Sequence, residues 1–406
     1  MIVGVRFFLG WRTWAATDNT DNAETQKPLY TMKKTLTILA AVAVAVSAQA
    51  QELSNFRFGR KPIVSPEIQN DSVTFRLKAD YATTVSLYGS WLPGYSGKID
   101  MKRGPENIWS VKVAAPEPEI YAYKFIVDGT AVNDPSNVLM QRDGVSYLSM
   151  LLIDGERSEN YKEANQRGTV THMWYDSEVL GLNRRMTVYT PYGYEVNKKV
   201  KYPVLYLLHG GGGDEEAWTS MGRAAQILDN LIEKGLAEPM IVVMPNGNPG
   251  QQAACTLNLP VKDINFRDPA YAGIYVKSLC EEIVPFIEKN FRVIAKPESR
   301  AIAGLSMGGG HTISASLTYP EMFDWICPLS AAGSMTVEQA TRLKNAGVKL
   351  YWIGCGNADF LFEGSNKLDA TLTEAGLEHT YFVNDHGHEW RNWRLYLNTF
   401  ARLLFK

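Results

Sequence analysis

Two short stretches, Val204-Leu205-Tyr206-Leu207-Leu208 and Met240-Ile241-Val242-Val243-Met244, are apolar at every position. A strand that is apolar on both faces is stable in water only where both faces are covered, the situation of parallel strands packed between helices. Residues 224–234 and 276–290, which lie between and after these runs, carry apolar side chains at spacings of three and four, the period of helices with one buried face. Alternating strand and helix predicts a doubly wound, mostly parallel α/β sheet over residues 169–406.

Upstream the period changes to two. Residues 73–77, 84–88, 109–113 and 121–127 alternate apolar and polar side chains and are separated by turn signals. This spacing predicts a small immunoglobulin-like β-sandwich over residues 51–153. Residues 154–168, poor in large apolar side chains, read as the linker between the two modules. Trp109 sits in an alternating strand and is expected in the sandwich core, whereas Trp91, before Leu92-Pro93-Gly94, is the better candidate for a sugar contact.

The start of the chain reads as a targeting segment. Met32-Lys33-Lys34, the apolar run from Leu36 to Val46 and the small-residue end Ser47-Ala48-Gln49-Ala50 have the three parts of a secretory signal. Residues 32–50 are therefore expected to be a signal peptide cleaved after Ala50, and residues 1–31 an upstream extension. The apolar run is short for a membrane span, so a secreted or periplasmic protein with no membrane partner is expected. A formal net charge of -2 with no long run of one sign gives no footprint for nucleic acid. Cys255, Cys280, Cys327 and Cys355 form no CxxC pair and suggest no metal site, although an exported chain could form one disulfide.

The chemistry concentrates in the α/β region. Gly304-Leu305-Ser306-Met307-Gly308 follows a short apolar stretch, 300–303, and precedes a helical one, 311–317. Strand, sharp turn and helix are what a nucleophile elbow requires, which makes Ser306 the candidate nucleophile of an α/β-hydrolase domain. His209-Gly210-Gly211-Gly212-Gly213 follows the apolar run ending at Leu208 and matches an oxyanion loop. Gly211 and Met307 are the expected N–H donors. A phosphate cradle would need a Lys-Ser or Lys-Thr pair after the glycines, and none is present.

In this fold the acid and then the histidine follow the serine along the chain. His311 is too near Ser306 to leave room for an acid, and His379 begins a predicted strand, so His388 is the expected base with His386 as its alternative. Asp359, just past the apolar strand 350–356, is the expected acid; Asp385 and Asp324 compete with it. Trp218, Phe360, Leu361 and the irregular segment from Gly247 to Asp268 are candidate walls of an acyl pocket. No cofactor or metal is called for.

Two resemblances follow from these motifs. Tyr123-Lys124-Phe125-Ile126-Val127-Asp128-Gly129 with Asp134-Pro135 resembles the early-set, family-48 carbohydrate-binding module. Gly304-Leu305-Ser306-Met307-Gly308-Gly309, Leu208-His209-Gly210-Gly211, Cys355-Gly356-Asn357-Ala358-Asp359 and Gly387-His388-Glu389-Trp390 together resemble carbohydrate esterase family one, the feruloyl and acetylxylan esterases. The second resemblance implies a Ser306–His388–Asp359 triad, an oxyanion donor at Gly211 and a xylan-type polysaccharide ester as substrate, feruloyl before acetyl. Here the family's usual Gly-Gly before the histidine is His386-Gly387, and its Thr-Asn-Asp acid loop is Asn357-Ala358-Asp359. Siderophore trilactone hydrolysis, mycolyl-type transfer and a catalytically dead carbohydrate-binding protein are the rival readings.

Overall fold

The computed structural model describes residues 62–93, 97–254, 259 and 273–406. The upstream extension, the signal segment with its cleavage point, Cys255 and most of the stretch after Ala254 lie outside the described residues.

Period-two alternation builds the first module. In the strand Ser72–Lys78, Val73, Phe75 and Leu77 all point inward and are buried. This strand belongs to a four-stranded antiparallel sheet, in the order Glu67–Gln69, Ser72–Lys78, Ile108–Ala114, Lys102–Arg103. A six-stranded sheet faces it, with Lys98–Asp100, Val85–Gly89, Ile120–Val127, Ser146–Leu152 and Met140–Asp143 in order and Thr130–Val132 paired to Ile120–Val127. Their inner faces share one core that includes Phe75, Leu87, Trp109, Tyr123 and Phe125. Trp109 is part of that core, as its alternation predicts, and donates its indole N–H to the Ala79 carbonyl at 3.2 Å. The Asp134-Pro135 motif has a structural use: buried Asp134 accepts hydrogen bonds from Ser65 Oγ at 2.6 Å and Tyr123 Oη at 2.8 Å.

The second module is an eight-stranded sheet of β1 (Thr169–Ser177), β2 (Leu182–Thr190), β3 (Val204–Leu208), β4 (Ile241–Pro245), β5 (Arg300–Leu305), β6 (Trp325–Leu329), β7 (Leu350–Gly356) and β8 (Thr380–Asn384). Their spatial order is β1-β2-β4-β3-β5-β6-β7-β8. β1 and β2 pair antiparallel, β2 is antiparallel to β4, and every other pair is parallel. β3 and β4 are buried at every position, as their composition demands.

Alternate side chains of these strands enter two cores. Leu205, Leu207, Val242 and Met244 pack with α1 (Ala224–Glu233) and with α6 (Trp390–Phe400). Val204, Tyr206, Leu208, Ile241 and Val243 pack on the other face with α2, built from Ile274–Ser278, a wider π turn at Leu279–Ile283 and Val284–Asn290. The same face holds α3 (Met307–Thr318), α4 (Val337–Ala346) and α5 (Phe362–Ala375). The whole is an α/β-hydrolase fold preceded by a β-sandwich. Three described cysteines, Cys280, Cys327 and Cys355, are buried free thiols.

Residues 63–406 form one compact unit, so the modules are docked. The segment read as a linker is itself packed: Tyr161 is buried, and Arg223 and Asn230 of the hydrolase module hydrogen-bond the carbonyls of Tyr161 and Asn160. Between the modules Glu119, wholly buried, accepts from Arg394 Nε on α6 and from Arg157 Nε, both at 3.0 Å. Arg394 also donates to the Ile120 carbonyl at 2.9 Å and the Met221 carbonyl at 2.6 Å. Removing one partner of such a buried pair leaves the other charge uncompensated. Glu119→Ala is expected to lower the unfolding free energy by about 3–5 kcal/mol, read from urea denaturation. A loss below about 1 kcal/mol, the level of an exposed pair, would show that this contact does not hold the modules together.

Candidate active site

The elbow is built by close approach. Ser306, between the last residue of β5 and the first of α3, has φ 53° and ψ -114°, and its N–H donates to the Leu329 carbonyl on β6 at 2.9 Å. A left-handed φ is strained for a side chain with a Cβ and turns the serine out of the strand. The flanking glycines are steric necessities: a Cβ at Gly304 would lie 2.4 Å from the Gly308 oxygen, and one at Gly308 would lie 2.5 Å from the His209 oxygen.

The loops that follow β7 and β8 bring the other two side chains together. His388 Nδ1 lies 3.0 Å from Asp359 Oδ1 and 2.9 Å from Oδ2. The carboxylate is buried, and its Oδ1 also accepts the Leu361 N–H at 2.8 Å. Burial raises the Asp359 pKa, but the hydrogen bonds from His388 and the Leu361 backbone lower it further, and the net shift is downward. Asp359 is therefore an anion at neutral pH, which places the imidazole proton on Nδ1 and leaves Nε2 able to accept one.

The competing residues are placed elsewhere. Asp385 accepts from Asn357 Nδ2 at 2.9 Å, and Asp324 lies at the start of β6, its carbonyl accepting the Lys349 and Leu350 N–H groups. His386 carries a left-handed φ of 77° and lies 3.0–3.1 Å from Arg391 Nη1.

Gly211 borders the same cavity as Ser306 and His388, and a Cβ there would meet nothing within 4 Å. Met307 opens α3, so its N–H is among those at a helix start without an intrahelical acceptor. Buried His209 pins the loop: the Gly247 N–H donates to Nε2 at 2.7 Å, which leaves Nδ1–H to donate to the Gly210 carbonyl at 2.8 Å. Burial lowers its pKa and keeps it neutral. This histidine has a structural duty that the sequence motif alone does not reveal.

The expected acyl-pocket walls are placed differently. Trp218 is not in the cavity wall; it is buried in the core, donates to the Leu208 carbonyl at 3.0 Å and meets Trp390 edge-on. Its position after the glycine loop suggested a rim residue, but the short helix Ala217–Ser220 turns it beneath the sheet end. Phe360 is 75% exposed and covers the His388 ring with centroids 4.5 Å apart, while Leu361 serves through its backbone N–H; neither lines the cavity. Of the segment after Gly247, the described part ties Asn248 to the Gly213 carbonyl at 2.7 Å.

What does line the cavity, of about 1040 Å³, is a surface shared by both modules. Trp91, Ile120, Tyr121 and Leu148 come from the sandwich and Trp390 and Trp393 from α6. Trp91 is half-buried, stacks on Phe75 at 5.8 Å and meets Tyr121 edge-on at 5.7 Å. Period-two patterning gives no sign that these residues face a second module.

A model of the Esterase family matches residues 177–352. An endo-1,4-beta-xylanase/feruloyl esterase of Xylanibacter ruminicola is 33% identical over 82% of this chain, and the chain spans 44% of that relative's length. A solved ferulic acid esterase is 29% identical, with a TM-score of 0.50, and covers 59% of this chain and 98% of its own. The enterobactin esterase of Shigella flexneri, at 16% identity and a TM-score of 0.60, covers 83% of this chain and 94% of its own and shares the fold. The family match, the relatives and the site make the α/β part of the chain a carboxylic ester hydrolase domain.

Ser306→Ala and His388→Ala are expected to lower kcat by on the order of a thousandfold or more with folding retained. Asp359→Asn is expected to be nearly as severe, because the amide no longer fixes the Nδ1–H tautomer. Steady-state kinetics beside circular dichroism decides this; ordinary activity in His388→Ala together with its loss in His386→Ala would reassign the base.

Proposed function

We propose that the chain is a secreted feruloyl esterase that hydrolyses esters on plant cell-wall xylan. The observation that carries this reading is the aromatic-lined cavity that Ser306, His388 and Gly211 all border. A feruloyl group is a flat aromatic acid and calls for an apolar, ring-lined site, whereas an acetyl group needs almost no acyl pocket. The resemblance to a xylanase/feruloyl esterase supports the same choice, and the targeting segment at 32–50 supports export.

In this reading His388 Nε2 takes the Ser306 hydroxyl proton as Oγ attacks the ester carbonyl. Negative charge moves to the carbonyl oxygen, where the Gly211 and Met307 N–H groups stabilise it. Collapse breaks the bond to the sugar oxygen, which leaves with the proton from His388. Water, deprotonated by His388, then attacks the acyl-enzyme and releases the acid. Trp91 of the sandwich borders the same cavity, is half-buried and can contact a bound sugar. The reaction needs no cofactor.

A second reading, hydrolysis of a catecholate trilactone, is favoured by the likeness in fold to the enterobactin esterase over more of the chain than the α/β module alone. One panel separates the readings: methyl ferulate, a simple acetyl ester, acetylated xylan and a catecholate trilactone with one preparation. Methyl ferulate is expected to show a higher kcat/KM than the acetyl ester. Preference for acetylated xylan with no turnover of methyl ferulate would make the protein an acetylxylan esterase; trilactone as the fastest substrate would move it to siderophore chemistry.

A further inference from the structure

Residues 210–213 are four consecutive glycines, a sequence with the largest conformational freedom and no side chains to hold its own shape. An oxyanion donor is useful only when fixed before charge develops. Within the hydrolase module, His209 and Asn248 hold the two ends of the glycine run through backbone groups. Glu215, just beyond it, is buried and accepts from Arg185 Nε at 2.6 Å, Asn246 Nδ2 at 2.9 Å and the Ala254 N–H at 2.8 Å.

The remaining restraint comes from the other module. Arg142, on the strand Met140–Asp143 of the sandwich, is 8% exposed and forks onto Asp214, the residue that follows the glycines. Nη1 reaches Oδ2 at 2.6 Å and Nη2 reaches Oδ1 at 2.7 Å, while Nη2 also meets Glu216 Oε2 at 2.9 Å. Nη1 donates in addition to the Gly144 carbonyl at 2.6 Å, so one guanidinium joins the sandwich hairpin to the glycine loop. The hairpin itself abuts that loop: a Cβ at Gly144 would lie 2.6 Å from the Gly212 oxygen. The loop of the catalytic histidine is reached in the same way, since Arg391 donates to Tyr121 Oη of the sandwich at 2.7 Å and lies against His386.

We propose that the sandwich is a positioning module for the active site, and that Arg142 is the positioning residue through which it holds the oxyanion loop. A bidentate guanidinium–carboxylate pair fixes direction as well as distance. Asp214, buried and adjoining Gly213, transmits that direction to the glycines before it. The effect falls on the transition state, where the loop donates, and not on ground-state binding of substrate. The inference rests on the ester-hydrolase reading only for its turnover assay.

The test compares the full chain with Arg142→Met and Arg142→Lys, at a temperature where each is folded by circular dichroism. Three quantities are read: kcat and KM on methyl ferulate or a 4-nitrophenyl ester, the rate of Ser306 labelling by a fluorophosphonate, and hydrogen exchange of the peptide covering 209–216. Arg142→Met is expected to lose on the order of a hundredfold in kcat, the scale of a donor displaced by about an ångström, with KM changed less than threefold. Labelling is expected to slow in parallel and the peptide to exchange faster. Arg142→Lys, which keeps the charge but not the fork, is expected to fall between, and it carries the test if Arg142→Met does not fold. Wild-type kcat, labelling and exchange in a folded variant would overturn the proposal, as would a rise in KM alone. A wild type that labels at Ser306 but cleaves none of these esters would count against the substrate, while labelling and exchange still decide the clamp.

Discussion

The left-handed backbone at Ser306 is the constraint on which the rest of the site depends. Holding a non-glycine residue there costs about 1–3 kcal/mol, and the cost is met by the packing around it. β5 is hydrogen-bonded between β3 and β6, the Ser306 N–H is tied to Leu329, and Gly304, Gly308 and His209 touch at distances that exclude a Cβ. The contact between Gly308 and His209 also joins the elbow to the start of the glycine loop. The elbow and the glycine loop are thus set by one packing problem.

A second feature is the number of charges buried where the modules meet. Glu119 with Arg394, and Arg142 with Asp214, are taken out of water almost completely. Such pairs add little net stability over apolar packing but penalise any other arrangement strongly. They are suited to fixing one orientation of a sandwich against a catalytic cleft. The adjoining cavity, with aromatic side chains from both modules, owes its shape to that orientation.

Much of this was legible in the sequence where a local period or a contiguous motif carried it. The doubly buried runs at 204–208 and 240–244 became β3 and β4, and the alternation around Val73-Thr74-Phe75 became a sandwich strand. Ser306, Asp359 and His388 each follow a strand end, and the structure brings His388 and Asp359 into contact. Trp218 lies inside the core and not at the rim; a tryptophan after a glycine loop looks the same in sequence whether its helix turns it inward or outward, and here its N–H donates to the Leu208 carbonyl. The module contacts were invisible for a different reason. Glu119, Arg142 and Tyr121 pair with residues 72 to 275 positions away, and neither a period nor a motif encodes that separation.

The α/β module thus joins an elbow serine, an imidazole oriented by a buried carboxylate and a glycine loop pinned from both modules, an arrangement suited to forming and resolving an acyl-enzyme. The proposed reaction passes through a covalent acyl-enzyme. Rapid acid quench during turnover of methyl ferulate, followed by peptide mass mapping, tests it most directly. A feruloyl adduct is expected on the peptide that contains Ser306, on Ser306 itself; an adduct on another residue, or steady ester turnover with no adduct under conditions where deacylation is slowed, would rule out an acyl-enzyme at Ser306.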